Sequence, residues 1–232
     1  MGHLSNSLTG IVQLFYPRVC IACEDNTHGD GLPLCTKCLS ELPLTGFESM
    51  PKNPFMDRLK GRVDLEWATS LFYFTKHSAN QVLIHRAKYS ASGEIAYLLG
   101  RWKGQLIKNA KTTLPDLILP VPLHRAKLKS RGFNQSEWFG RGIAEELSCD
   151  LKNDVLMRKY SSVSQTKKGK VERIKNVHSS FAIYSASNIQ GKHILIVDDV
   201  LTTGATLEAC ANQLVHIPNI KISAATIAIA MN

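Results

Sequence analysis

The sequence predicts an α/β fold, a parallel sheet flanked by helices, with a small cysteine-bearing unit at its N-terminus. Three observations predict it. Short apolar runs rich in β-branched residues alternate with longer stretches of helical period, the pattern of strands joined by crossover helices. The run Ile194 to Val197 ends in two adjacent carboxylates, Asp198 and Asp199, followed by a loop of hydroxyls and small residues and then a helical pattern. Four of the six cysteines are spaced Cys20-x2-Cys23-x11-Cys35-x2-Cys38.

The elements follow in chain order. Leu4, Leu8, Ile11, Val12 and Phe15 make an apolar helical face before Pro17. Two C-x-x-C knuckles then span roughly residues 18 to 42. Four thiolates at this spacing can close a tetrahedral Zn²⁺ site, and four protein ligands leave no open position, so the metal is expected to be structural. Disulfides are the alternative, against which a reducing compartment argues. Residues 43 to 54 carry Pro43, Gly46, Pro51 and Pro54 and read as a linker between units at 1–45 and 55–232.

In the second unit, Trp67 to Thr75 reads as a strand, then Ser78 to Ser90 and Glu94 to Lys108 as helices. Asp116 to Val121 is a strand running into a loop. Asn134 to Leu147 is a helix on its Trp138, Ile143 and Leu147 pattern. Val155 to Lys159 and Phe181 to Tyr184 are strands around a polar, basic stretch from 161 to 177. His193 to Val197, Ala205 to His216 and Ile222 to Ala230 complete the pattern as strand, helix, strand. Cys149 and Cys210 fall in helical patterns and read as buried small apolar residues.

Composition narrows the function classes. Hydrophobic content of 44% with 20% charged residues suits a globular domain. No window of 18 apolar residues and no leader pattern occurs, so a cytoplasmic protein without membrane insertion is expected. The net charge of +9 points to a polyanionic ligand, a nucleic acid, or both. Two basic clusters carry much of it, His124 to Arg131 and Lys167 to Lys175.

In open α/β sheets, ligands bind outside the carboxyl ends of the strands. A small-residue loop entering a helix presents free N–H groups, and the helix dipole favours an anion there. Two acids beside such a phosphate cradle suit a ligand with both a phosphate and groups that carboxylates can bind. A ribose 5-phosphate, alone or with Mg²⁺, meets both needs. Two other uses of an Asp-Asp strand end are disfavoured. A receiver domain needs a later acceptor Asp, but the 33 residues after Asp199 contain none. A Walker B strand needs a G-x-x-x-x-G-K-[ST] loop, which is absent.

The segment Ile194 to Thr206 resembles the PRPP-binding motif of type I phosphoribosyltransferases: four apolar residues, two acids, two apolar residues, then T-T-G-x-T. The resemblance implies that Asp198 and Asp199 face the ribose hydroxyls. It also implies that Thr202, Thr203, Gly204, Ala205 and Thr206 wrap the 5′-phosphate; Ala205 stands where many members have a second glycine. In such enzymes the loop after the first core strand holds pyrophosphate. Here that loop follows Pro120-Val121-Pro122 and offers Leu123, His124 and Arg131. The basic stretch from Ser164 to Lys175 suits a lid over the leaving group, with Lys168 and Arg173 as its cations.

Taken together, the four-cysteine knuckle, Pro120 to His124, Arg131 to Gln135, Gln165 to Lys168, Arg173, Asn176 and Asp198 to Thr206 resemble the ComF family, competence-associated phosphoribosyltransferase-like proteins. The resemblance implies a type I phosphoribosyltransferase fold with an N-terminal zinc-binding domain, PRPP with Mg²⁺ as ligand, and a role in DNA uptake. Two functions stay open. One is phosphoribosyl transfer that releases pyrophosphate to an unidentified acceptor. The other is a non-catalytic module responding to PRPP or a ribonucleotide and engaging single-stranded DNA or a protein of the uptake machinery.

Overall fold

The structure, a computed structural model, describes residues 19–27, 33–74, 79–89, 93–110, 112–159, 180–184 and 189–231. The N-terminal apolar face and the basic stretch from Ser164 to Lys175 lie outside them.

Five strands form the main sheet: β1 (Ala68–Phe74), β2 (Leu117–Pro120), β3 (Asp150–Leu151), β6 (His193–Leu201) and β7 (Lys221–Ala230). Their order is β1-β7-β6-β2-β3, and each neighbouring pair is parallel. The long β6 and β7 lie inside the sheet and are mostly apolar and buried, as strands covered on both faces are. The helices are α1 (Thr36–Ser40), α2 (Pro54–Leu59), α3 (Ala79–Tyr89), α4 (Glu94–Asn109), α5 (Arg125–Arg131), α6 (Gln135–Leu147) and α7 (Ala205–Leu214). A two-stranded antiparallel ribbon, β4 (Leu156–Arg158) and β5 (Phe181–Ile183), stands apart from the sheet.

The strand period of two sorts β6 between two cores. Leu195 and Val197 join Leu83, Leu99, Phe139 and Ile143 from α3, α4 and α6. Ile194 and Ile196 join Phe55, Leu59, Leu207 and Leu214 from α2 and α7. Each fully buried side chain of this size contributes about 1.5–3 kcal/mol, so truncating Phe139, at 0% exposure, is among the most damaging single changes. The helices α4 and α6 meet backbone to backbone. A Cβ on Gly100 would collide with the Phe139 carbonyl, and one on Gly142 with that of Tyr97.

Three expectations are corrected. The segment from 43 to 54 is not a loose linker. Thr45 N donates to Leu71 O at 3.1 Å and Tyr73 N to Pro43 O at 2.8 Å, which covers part of the β1 edge. Asn53 then caps α2, accepting from Phe55 N at 3.0 Å and Met56 N at 3.1 Å, while its amide donates to Ala68 O at 3.0 Å. The fully buried Lys103 adds a further tie, donating to Glu48 at 2.7 Å and to Ser70 O at 2.9 Å. Burial lowers this lysine to about 8, against the pull of Glu48.

Second, β6 does not stop at the acids. It runs on to Leu201, because β7 keeps pairing beside it, Val200 with Ala228 and Leu201 with Ile229. Third, the basic cluster after His124 is helix, not loop. None of α5's residues is buried, so it carries no apolar stripe to betray it. Of the two further cysteines, Cys210 is buried in α7 and Cys149 is half-buried just past the end of α6.

Candidate functional site

The carboxyl ends of β2, β6 and β7 share one edge of the sheet, since parallel register brings Pro120 beside Val197 and Asp198 beside Thr226. Alternation places Asp199 on the face of Leu195 and Val197, under α3 and α6. Its Oδ2 accepts from Gln135 Nε2 at 2.9 Å and pairs with Lys88 Nζ at 3.0 Å. Asp198 Oδ1 accepts from Ser136 Oγ at 3.1 Å and from Asp199 N at 2.8 Å. Burial, and then the neighbouring charge of Asp199, push the Asp198 carboxyl up to about 7. The pair can therefore hold or release a proton near neutrality, and it can accept from hydroxyls or face a cation.

Helix α6 presents its two polar residues because its start is tied to β2. Asn134 caps the helix, with Oδ1 accepting from Ser136 N at 3.1 Å, and its Nδ2 donates to Val121 O at 3.0 Å. Gln135 is 3% exposed, and its Oε1 is a buried acceptor with no partner among the described residues.

The loop from Thr202 to Thr206 turns at Gly204, whose φ of +80° favours glycine. Gly204 O accepts from Glu208 N at 2.9 Å, so the helix starts there. The first N–H groups of α7 have no intrahelical acceptor. Only a long 3.4 Å contact, to Thr203 Oγ1, engages Ala205 N. Thr202 and Thr203 are exposed. The arrangement offers N–H groups without intrahelical partners at the N-terminus of a ten-residue helix, beside two carboxylates, the geometry an anion cradle requires.

The residues expected to meet pyrophosphate lie on the neighbouring loop. His124 caps α5, its Nδ1 accepting from Ala126 N at 3.2 Å. Leu123 and His124 line a cavity of about 490 Å³ with Arg125, Asn153, Met157 and Arg158. Neither acid nor any residue from 202 to 206 lines it. Arg131 ends α5, half-buried. Lys168 and Arg173 lie outside the described residues, between β4 and β5.

Sequence reasoning missed Lys88, Ser136, Arg58 and Arg62, and took Gln135 only as part of a motif. Lys88 is one basic residue among several on α3, and nothing local ties it to an acid 111 positions away. Arg58 and Arg62 lie in a stretch whose apolar spacing, Phe55, Met56, Leu59 and Val63, marks a buried face but not which carbonyls its cations reach.

At the other end of the chain, the sulfur atoms of Cys20, Cys23, Cys35 and Cys38 all lie within 4.8 Å of one another. Those of Cys23 and Cys35 are 3.6 Å apart, close to the ~3.8 Å edge expected when four sulfurs surround one ion at about 2.3 Å. Burial and the other three thiols hold Cys38 well above the ordinary range, while for Cys20 the N–H groups of Cys35, Cys23 and Ala22 outweigh desolvation and bring it down to about 6. Four sulfurs this close cannot all ionise without a cation, so the donor set fits a metal ion.

Comparison with known proteins agrees with this geometry. Residues 134–230 match the family model described as phosphoribosyl transferase domain, which takes in the acids and the anion cradle but not the loop at 123–131. The chain is 34% identical over 138 residues to the DNA utilization protein YhgH of Escherichia coli (strain K12), covering 58% of this chain and 60% of that protein. It is 25% identical over 210 residues to Competence protein F of Haemophilus influenzae, covering 86% of this chain and 92% of that one. Competence protein ComFC of Bacillus subtilis is 27% identical over 148 residues, 62% of this chain and 56% of that protein. The chain thus spans about 60% of the length of the DNA utilization proteins it matches.

Proposed function

Because this chain is a phosphoribosyltransferase-like protein of the ComF family, we propose that it binds PRPP with Mg²⁺ at the carboxyl edge of its sheet. In this reading Asp198 and Asp199 accept from the ribose hydroxyls, and Thr202 to Thr206 cradle the 5′-phosphate. Leu123, His124 and Arg131 meet the pyrophosphate, with Lys168 and Arg173 closing over it. Mg²⁺ would supply charge neutralisation of the pyrophosphate. In transfer, the C1′–O bond breaks, pyrophosphate leaves with the electron pair, and a nucleophile adds to the oxocarbenium-like carbon. The basic loops would stabilise the charge that develops on the leaving group.

One observation carries the reading. The acids and the anion cradle lie within a few residues of each other on β6 and α7, inside the segment that matches the family model. Calorimetry with PRPP and Mg²⁺ on the Asp198→Ala/Asp199→Ala protein tests it. Affinity is expected to fall at least tenfold, since removing a charged hydrogen bond costs about 1.5–3 kcal/mol. Unchanged affinity in a folded double variant would move the site elsewhere.

The four cysteines are read as a structural Zn²⁺ site in a reducing cytoplasm, and metal analysis of the purified protein should return one zinc per chain. No described helix is long and apolar enough to cross a membrane.

A second reading makes PRPP or a nucleotide a regulatory ligand of a protein that handles single-stranded DNA or meets the uptake machinery. The exposed cations of α5 favour it, because Lys127 and Lys129 are free to meet an extended anion from solvent. So do the names of the relatives, which concern DNA utilization and competence. Pyrophosphate release on mixing PRPP with candidate acceptors separates the two, because only the first reading expects turnover.

A further inference from the structure

The loop that leaves β6 owes its shape to two arginines from the far end of the chain. Arg58 Nη1 donates to Thr202 O and Ala230 O, each at 2.8 Å, and reaches Leu201 O at 3.5 Å. Arg62 Nη1 donates to Thr203 O at 2.9 Å and to Arg58 O at 3.1 Å. Between them the two guanidinium groups take the carbonyls of Thr202 and Thr203, and Glu208 N takes that of Gly204. Each carbonyl from 202 to 204 is thereby turned toward a donor of the protein. Carbonyl oxygens that faced the cradle would repel an anion; these cannot.

Arg62 does something more. Its Nε donates to Glu208 Oε2 at 2.8 Å, and its Nη2 meets the same oxygen. Glu208 stands in the first turn of α7. A carboxylate there suits the helix dipole but opposes a phosphate bound at the same N-terminus. The arginine fork cancels that opposition while holding Thr203 O, which a lysine, with one nitrogen, could not do as well.

We infer that Arg58 and Arg62 are positioning residues for the 5′-phosphate, Arg58 by anchoring the loop carbonyls and Arg62 by anchoring Thr203 and neutralising Glu208. In this role neither residue need touch the ligand. The inference rests on the PRPP reading above and goes beyond it, because it locates part of the phosphate affinity in α2 and the turn after it. It also gives α2 a function: Leu59 packs so closely on Gly204 that a Cβ there would lie 2.6 Å from Leu59 Cδ2.

The test uses the full-length protein and two probes, PRPP with Mg²⁺ and inorganic pyrophosphate with Mg²⁺. Arg62→Met is expected to weaken PRPP about tenfold, the scale of one charge-assisted interaction, and to leave pyrophosphate affinity unchanged. Adding Glu208→Gln to that variant should restore most of the affinity, and a purely structural role of Arg62 would not respond in that way. Glu208→Gln alone should tighten PRPP a few-fold, which keeps the inference testable if Arg62→Met does not fold. Equal PRPP affinity in wild type and Arg62→Met, or no recovery in the double variant, would overturn it while leaving the site reading in place. Wild type without PRPP affinity would remove both.

Discussion

Two loops leave the same edge of the sheet, and they are built in opposite ways. The loop from β6 to α7 is tethered on every side. Arg58 and Arg62 hold its carbonyls, Leu59 fills the space behind Gly204, and Lys88, Gln135 and Ser136 hold the acids before it. In the stretch from β2 through α5 to α6, His124 caps one helix and Asn134 the next. No residue of α5 is fully buried, and Lys127 and Lys129 face solvent. The difference matches what each would have to recognise. A 5′-phosphate on a ribose arrives in one orientation relative to the acids, so a preorganised cradle gains affinity by avoiding reorganisation. A flexible polyanion has no single orientation, and exposed cations serve it without a fixed geometry.

The contrast between the loops is most exposed to test at two glycines. Gly204 and Gly132 both have φ of +80°, one in each loop. Gly204→Val should be the more damaging by far, because it adds a collision with Leu59 to the left-handed strain. A cost of about 2–4 kcal/mol and disappearance of measurable PRPP binding are expected. Gly132 has nothing within 4 Å of where a Cβ would stand. Gly132→Ala should cost only about 1 kcal/mol of strain. Paired thermal melts and calorimetry on the two variants check this, and equal destabilisation would mean that the β6–α7 loop is no more constrained than its neighbour.

The tethered acids carry a pH signature that the exposed loop lacks. Asp198 is raised from an ordinary value of 3.8 to about 7 by burial and by Asp199. The folded state therefore binds a proton more tightly than the unfolded chain between those values. Its ionisation subtracts stability as pH rises from about 4 to about 7, and the subtraction is complete above that. Asp198→Asn should accordingly raise the melting temperature more at pH 8 than at pH 5. A ligand that needs the ionised pair should also expel a proton on binding. Calorimetry of PRPP in buffers of different ionisation enthalpy should register that release at about pH 6 and little of it at about pH 8.5. A binding heat independent of buffer at the lower pH would leave Asp198 out of the contact.

The smallest effect is expected on the exposed helix. Lys127→Ala with Lys129→Ala should change stability by no more than about 0.5 kcal/mol per site and leave PRPP affinity unaltered. If α5 meets single-stranded DNA, the same pair should lower the salt dependence of oligonucleotide binding, by about 0.7 in log–log slope for each phosphate no longer neutralised. An unchanged slope in a protein that binds DNA would move the DNA-binding surface off α5.

The elements legible in the sequence were those with an apolar period. The helices α4, α6 and α7 and the strands β1, β2, β6 and β7 start or end within a few residues of where the pattern puts them, because burial on one face or both dictates that pattern. The acid pair was legible too, as two carboxylates where an apolar run should end. Its true setting was not, since β6 runs four residues past Val197 on the strength of pairing with β7. Helix α5 has no apolar period to read because none of its residues is fully buried. The pairing of residues 43–45 with β1 uses backbone groups, which every residue type carries.

Residue type and spacing alone specify the chemistry available at each point of this chain: two acids, a glycine at a turn, a helix start, four thiols at knuckle spacing. Which charges meet is settled elsewhere, in the folded arrangement. Lys88 and Gln135 reach Asp199 from different helices, and Arg58 and Arg62 reach Thr202 and Thr203 across more than 140 residues of chain. A charge has no periodicity. An apolar side chain announces its partners by the face it shares, whereas an ion pair or a carbonyl contact depends on distance in space alone, and that distance is set only when the sheet closes.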